Sequence, residues 1–408
     1  MTIKEISFKN TAIPWELNRM NFSELTLLVG ASGVGKTQIL NSLMKLIDIS
    51  NGYVYNGVEW DLHFTGDRNE NYRWTGQFEN IKEVHQQVYE EKDLNGQSFT
   101  HFPRLLKEEL YLENELVFTR EESNVKYEKK ESPKISPSKS VLNLFTREEK
   151  ISPVKNAFRR IVFLDYQAEK KFKFSTETIK EIEKSSDKAS QLGEDFLLKM
   201  LKEASGDIFP GLLLKKNLSS DNAFLLYYIM AEMHLILKLF LTQYYFKEIF
   251  EKIAADFKDI FPQVEDLRFQ LLEDKDIYEL QIKERGTAWI PLQEIASGMF
   301  KTLMHLVEIK LMAAGSVILI DEFENSLGVN CIDAVSGDLL KPGKKLQYII
   351  TSHHPYIINN IDMKYWKVVM RKGSKVFTKD ADELKLGKSK HKAFKQLLNL
   401  EEFSEGIS

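Results

Sequence analysis

The stretch "LTLLVGASGVGKTQIL", residues 25–40, leaves little freedom to the backbone that carries it. An apolar run of strand length, Leu25 to Val29, meets three glycines within six positions, and "TQILNSLMKLI" behind them has the apolar spacing of a helix. A strand, a tight loop and a helix are expected in direct succession. Gly30 to Thr37 matches the pattern G-x-x-x-x-G-K-[ST]. Glycines let the backbone wrap closely enough for its N–H groups to point at phosphate oxygens, and the start of the following helix adds a favourable dipole. In such a loop Lys36 would reach the β and γ phosphates of a nucleotide, and the Thr37 hydroxyl would ligate Mg²⁺. The candidate nucleotide contacts are Gly30, Ala31, Ser32, Gly33, Val34, Gly35, Lys36, Thr37 and Gln38.

Three further stretches carry chemistry. "SVILIDEFENSL", residues 316–327, is an apolar strand run closed by two acids. Asp321 at the strand end would position the metal and its waters, and Glu322, one place on, would polarise an attacking water. "YIITSHHPYIINN" ends another strand in Ser352-His353-His354-Pro355, where a histidine can contact the γ-phosphate. His353 is nearest the strand end and His354 is the alternative. "EIASGMFKTLMHL", residues 294–306, sets Ser297 and Gly298 at a helix start, where they serve as an anion site or as an ordinary helix cap.

In the order glycine loop, Ser-Gly helix, apolar strand with Asp-Glu, histidine after the next strand, the chain resembles the ABC-type ATPases. Within them it is similar to the soluble branch of SMC, Rad50, OLD-like and AAA15/AAA21-type proteins. The resemblance implies an α/β P-loop NTPase fold with a mixed central sheet, an antiparallel β subdomain and an inserted helical lobe. It implies ATP and Mg²⁺ as ligands, Thr37 and Asp321 toward the metal, and Glu322, His353 and Lys36 in catalysis. In that family an S-G-G signature at a helix start binds the γ-phosphate of ATP held by the other subunit. "ASGMFK" keeps Ser297, Gly298 and Lys301 at matching places and has Met299 where the second glycine is usual. "ENSL", Glu324 to Leu327, occupies the place of the loop that crosses the dimer interface, and Gln77 and Gln167 both remain open for the glutamine loop.

The rest of the chain organises around these motifs. Residues 52–130 alternate aromatic and polar positions between Gly, Asn and charged turns, as an antiparallel meander does. "KKESPKISPSKS" and "EEKISPVKN" hold three of the ten prolines and read as an exposed, turn-rich linker. "RRIVFLDY" reads as a strand rejoining the core, residues 190–262 as a helical lobe, and "LRFQLL" with "YELQIKE" as a hairpin around "EDKD". The expected organisation is 1–189 as the first part of the ATPase domain, 190–262 as the lobe, and 263–408 as its second part.

Composition narrows the setting. With 56 Lys and Arg against 60 Asp and Glu, the net charge of −4 supplies no global basic field for nucleic acid or anionic lipid. Cys331, the single cysteine, allows no intrachain disulfide and reads as a small buried hydrophobe. The start "MTIKEISFKN" lacks the features of a signal peptide, so a cytoplasmic protein is expected. Residues 223–246 are long enough to span a bilayer, but Glu232, His234, Lys238 and Gln243 interrupt them and favour a buried or interface helix.

The expected function is an ATPase whose head-to-tail dimer sandwiches ATP, with no membrane partner. The chain after His354 is too short for a TOPRIM nuclease domain. The resemblance therefore extends to ATPase subunits of bacterial anti-phage systems such as PARIS, Septu and some retrons. There a separate nuclease or toxin is the effector, and DNA or a phage protein would be the trigger. The competing expectation is a DNA-maintenance ATPase of SMC/Rad50 type that holds duplex DNA. A module that binds ATP without hydrolysing it is the third.

Overall fold

A computed structural model describes residues 1–66, 68–82, 102–164, 173–180, 234–245, 247–312, 315–324 and 346–384. The chain divides into two compact units, one of Met1–Phe163, Ser316–Phe323 and Gln347–Ser408, the other of Leu164–Gly315 and Glu324–Leu346.

The first unit is organised by a single sheet. Its amino-terminal strands are β1 (Thr2–Asn10), β2 (Trp15–Asn21) and β3 (Leu25–Val29), after which α1 (Lys36–Ser50) follows the glycine loop. Next come β4 (Val58–Thr65), β5 (Asn71–Phe78), β6 (Leu105–Leu112), β7 (Glu115–Glu121), β8 (Asn124–Tyr127) and β9 (Lys130–Glu131). Two short helices, α2 (Val141–Leu144) and α3 (Ser152–Phe158), lead to β10 (Ile161–Phe163). Later segments add β15 (Val317–Ile320), β16 (Gln347–Thr351), β17 (Trp366–Lys372) and β18 (Lys375–Asp380), with α7 (Pro355–Asn360) between β16 and β17. The strand order is β10-β15-β16-β3-β17-β18-β2-β1-β4-β5-β6-β7-β8-β9.

The strands from β10 to β17 in that order run parallel. All residues of β3, β15 and β16 are buried, as expected of parallel strands covered on both faces. From β1 through β9 every pairing is antiparallel, and β4 and β5 alternate buried with more exposed positions, so one face of the meander is wetter. The meander thus continues the central sheet. The side chain of Gln347 joins the two halves: it accepts from Ile3 N at 2.7 Å and donates to Ile3 O at 2.8 Å and Ser23 O at 2.9 Å.

The proline-bearing segment is exposed and irregular over most of residues 129–139, with Pro133, Pro137 and Pro153 all exposed as expected, but buried side chains of the meander tie it down and the chain enters the core from Ser140. Arg120 of β7 is fully buried and donates to Glu122 O at 2.5 Å, Ser136 O at 2.6 Å and Lys139 O. Fully buried Glu108 of β6 accepts from Ser140 Oγ at 2.5 Å, Val141 N at 2.8 Å and Trp74 Nε1 at 2.9 Å. Burial pushes the Glu108 carboxyl above its ordinary pKa. These two charges fix the strand of chain that prolines exclude from sheet pairing, and Val141, Leu142, Ile151, Val154 and Phe158 then enter the core. Lys155 places its ammonium on Ser50 O at 2.6 Å and Asn51 Oδ1 at 2.7 Å, a cation at the negative end of α1.

The second unit contains β11 (Phe174–Ser175), β12 (Val264–Leu272), β13 (Ile277–Glu284) and β14 (Trp289–Pro291), with β13 paired to each of the other three. Its described helices include α4 (Leu235–Tyr245), α5 (Lys247–Ile260) and α6 (Ser297–Leu311). On α5, Phe250, Ile253, Ala254 and Phe257 are buried at helical spacing, and Lys310 of α6 pairs with Asp256 of α5 at 2.5 Å. His305 of α6 is fully enclosed. Loss of solvation, with the Lys301 charge adding, lowers its pKa to about 3. No helix among the described residues is long and apolar enough to cross a membrane. Gln167, Cys331, most of "ENSL", most of the lobe and the segment after residue 384 lie outside the described residues.

Candidate nucleotide site

Gly30 to Gly35 form the turn between β3 and α1, and Lys36, Thr37 and Gln38 open the helix, as their spacing predicts. A Cβ on Gly30 would come within 2.6 Å of Val369 O on neighbouring β17, so no side chain fits there. Gly33 and Gly35 have φ of 84° and 106°, backbone that favours glycine. The first turn of α1 carries no acid to compete with an anion for its N–H groups. Lys36 lies along the loop, with Nζ on Gly30 O at 2.8 Å and Ala31 O at 2.9 Å. Ala31 and Lys36 are half-buried, Val34 is buried, and Ser32, Gly33, Thr37 and Gln38 are exposed.

Asp321 follows the last residue of β15 and meets the loop directly. Its Oδ2 accepts from Thr37 Oγ1 at 2.8 Å, and its Oδ1 accepts from Thr351 Oγ1 at 2.6 Å. The Thr37 and Asp321 oxygens are hard donors of the kind Mg²⁺ takes, and Mg²⁺ needs only one or two from protein when phosphate and water complete its shell. Among the described residues no group of three or more His, Cys, Asp or Glu could hold a metal by itself. Glu322 is exposed and has φ of 46°, unusual for a side-chain-bearing residue and costing about 1–3 kcal/mol. Its N–H donates to Thr351 Oγ1 at 2.7 Å, and Phe323 N donates to Thr351 O at 3.0 Å.

The two histidines have different surroundings. His354 Nδ1 accepts from Tyr356 N at 3.3 Å and caps α7, while its own N–H donates to Ser352 Oγ at 3.1 Å. His353 stays exposed at the end of β16. Gln77 is an exposed residue of β5 paired with Glu59 and Lys107, within the antiparallel half.

In the second unit, Ser297 is the first residue of α6 and the cap position is Ala296, which offers no side-chain hydrogen bond. Ser297 is exposed, Gly298 is half-buried, and Met299 is only 7% exposed. The methionine that replaces the usual second glycine therefore directs its bulk into the core, while Ser297 remains on the surface.

Two contacts around the loop escaped the sequence reading. Thr351 binds Asp321 and Glu322, and Arg371 on β17 donates to Gly33 O at 3.3 Å. A hydroxyl at the end of an apolar strand is a readable signal for the first. For the second there is none, because the approach of β17 to the loop is a tertiary fact.

A family model described as "AAA domain, putative AbiEii toxin, Type IV TA system" matches residues 25–359, from the start of β3 into α7. No curated protein matches. Similar solved structures include an SmcHead bound to the C-winged helix domain of ScpA, with 12% identity over 94% of this chain and 99% of that one, TM-score 0.48. An SMC head domain from Thermotoga maritima has 10% identity over 93% and 99%, TM-score 0.40. An Smc head with an extended coiled coil, bound to the C-terminal domain of ScpA derived from Pyrococcus furiosus, has 12% identity over 94% and 98%, TM-score 0.38.

Proposed function

The chain belongs to the AAA-domain family whose model spans residues 25–359 and is a P-loop ATPase, and from that premise we propose that it works as head-to-tail ATP-sandwich dimers. In this reading it is the cytoplasmic sensor or scaffold subunit of a bacterial anti-phage system and controls a separate nuclease or toxin. The observation that carries the catalytic part is the junction of Thr37, Asp321 and the bent Glu322 at the mouth of one loop.

Backbone groups from Gly30 to Gln38 hold the phosphates, and Lys36 neutralises charge on the β and γ groups. Thr37 and Asp321 would hold Mg²⁺, which would supply neutralisation of phosphate charge. Glu322 accepts a proton from water as the water oxygen attacks the γ-phosphorus; the bond to the β,γ-bridging oxygen breaks, and ADP and phosphate leave. His353 reports whether the γ-phosphate is present. Ser297 and Gly298 of a second copy complete the pocket with an exposed hydroxyl and uncapped helix donors. Two bound ATP molecules favour the closed dimer, and hydrolysis reopens it. The family description names a putative AbiEii toxin and a Type IV TA system, which supports a place for this ATPase in such a system.

The test is a pair of variants. Glu322→Gln should keep ATP and accumulate dimers in light scattering while turnover falls on the order of 10²–10⁴-fold. Ser297→Arg should bind ATP yet neither dimerise nor hydrolyse it. Parental turnover by Ser297→Arg overturns the shared pocket. DNA-stimulated turnover that falls steeply with salt would instead place the chain in duplex-DNA maintenance.

A further inference from the structure

We infer that Thr351 is a positioning residue for ATP turnover, its hydroxyl holding the Asp321 carboxylate and the Glu322 backbone in one fixed arrangement. The inference rests on the roles just proposed for Asp321 and Glu322.

β16 lies parallel to β15 with Ile350 opposite Ile320, so Thr351, the last residue of β16, is level with Asp321, the first residue beyond β15. Thr351 is 1% exposed, and its hydroxyl has one proton and two lone pairs. It uses the proton on Asp321 Oδ1 at 2.6 Å and a lone pair for Glu322 N at 2.7 Å. Its carbonyl takes the next N–H, that of Phe323, at 3.0 Å. The carboxylate of Asp321 is thereby gripped on both oxygens, by Thr37 from the loop and by Thr351 from the sheet. The same threonine holds two successive N–H groups of the turn in which Glu322 has its positive φ. One buried hydroxyl thus couples the residue assigned to the metal with the residue assigned to the water.

Packing alone does not account for a threonine here, since valine has the same shape and β-preference and would need no partners. Thr351→Val therefore removes the two hydroxyl bonds and little else, and Thr351→Ser keeps them while losing a methyl group.

The experiment measures binding of a fluorescent ATP analogue in EDTA and across a Mg²⁺ titration, beside ATP turnover, for the full chain. Thr351→Val should bind the analogue in EDTA within about twofold of the parent. Its half-saturating Mg²⁺ should rise roughly tenfold or more, the usual effect of losing an outer-shell partner, with kcat falling by a similar factor. Thr351→Ser should return both to within about threefold of the parent. Unchanged Mg²⁺ dependence in the valine variant, or an equal loss of affinity with and without Mg²⁺, overturns the inference. If the valine variant does not fold, Thr351→Cys must show the same split in smaller measure, and parental Mg²⁺ dependence there overturns it. A parent chain without Mg²⁺-dependent turnover would defeat the catalytic reading itself, an outcome distinct from a Thr351 effect that fails to appear.

Discussion

The parallel and antiparallel halves of the large sheet treat polar groups in opposite ways. In the parallel half, β3, β15 and β16 all end on one edge, so Gly30, Asp321 and Ser352 emerge side by side. The acids there are only partly covered: Asp321 is half-buried and Glu322 is exposed. In the antiparallel half successive strands end on opposite edges, and no such row of strand ends can form. The charges buried there, Glu108 and Arg120, are enclosed and satisfied by neighbouring backbone and side chains. Strand direction thus separates charge kept accessible for chemistry from charge used to hold a shape.

The largest expected effect tests the first half of that contrast. Lys36→Ala removes the cation proposed to meet the phosphates and also its bonds to Gly30 O and Ala31 O. ATP turnover should fall on the order of 10²–10³-fold, as for deletion of one charge-stabilising donor. Urea unfolding should shift far less than it does for a buried charge. Comparable losses of stability and activity would erase the distinction between the halves.

Glu108→Leu tests the second half. It leaves Trp74 Nε1, Ser140 Oγ and Val141 N without their acceptor and the Arg120 charge without its counterpart. Losing one member of a buried polar cluster of this kind costs about 3–5 kcal/mol. Urea unfolding should show that loss, and turnover per folded molecule should stay at the parental rate. A variant that folds normally but hydrolyses ATP slowly would mean that the meander acts on the site.

What could be read beforehand follows the same division. The loop and the strands that feed the site were legible because parallel strands buried on both faces appear as unbroken apolar runs, "LTLLV" and "VILI", each followed by chemistry. Alternation revealed the meander. β2 was missed because "WELNRMN" buries only Leu17 and Met20 and owes its place to β1 and to β18, which is remote in sequence. The prolines marked the exposed linker correctly, but the bonds from Arg120 to Ser136 O and Lys139 O and the burial of Val141, Leu142 and Val154 beyond it are tertiary and have no local signature. Thr351 ends an apolar strand run, which marks its hydroxyl, but the residues it binds depend on register with β15, and register between strands far apart in sequence has no local signature.

The smallest expected effect concerns the joint. Gln347 lies at the start of β16, is almost fully buried, and uses both ends of its amide on β1 and on the turn before β3. Gln347→Leu leaves Ile3 N, Ile3 O and Ser23 O without that partner. A buried polar group that loses its bond costs roughly 1–3 kcal/mol, and the partly exposed Ser23 can recover water, so the net should be about 2 kcal/mol. The informative reading is the shape of the urea transition followed at two places. Hydrogen exchange in β5 and in β16 should accelerate together if the continuous sheet unfolds as one body despite its two directions. If exchange accelerates in the antiparallel strands while β16 stays protected, the meander is a separately melting layer, and the amide at 347 is what makes the halves cooperative.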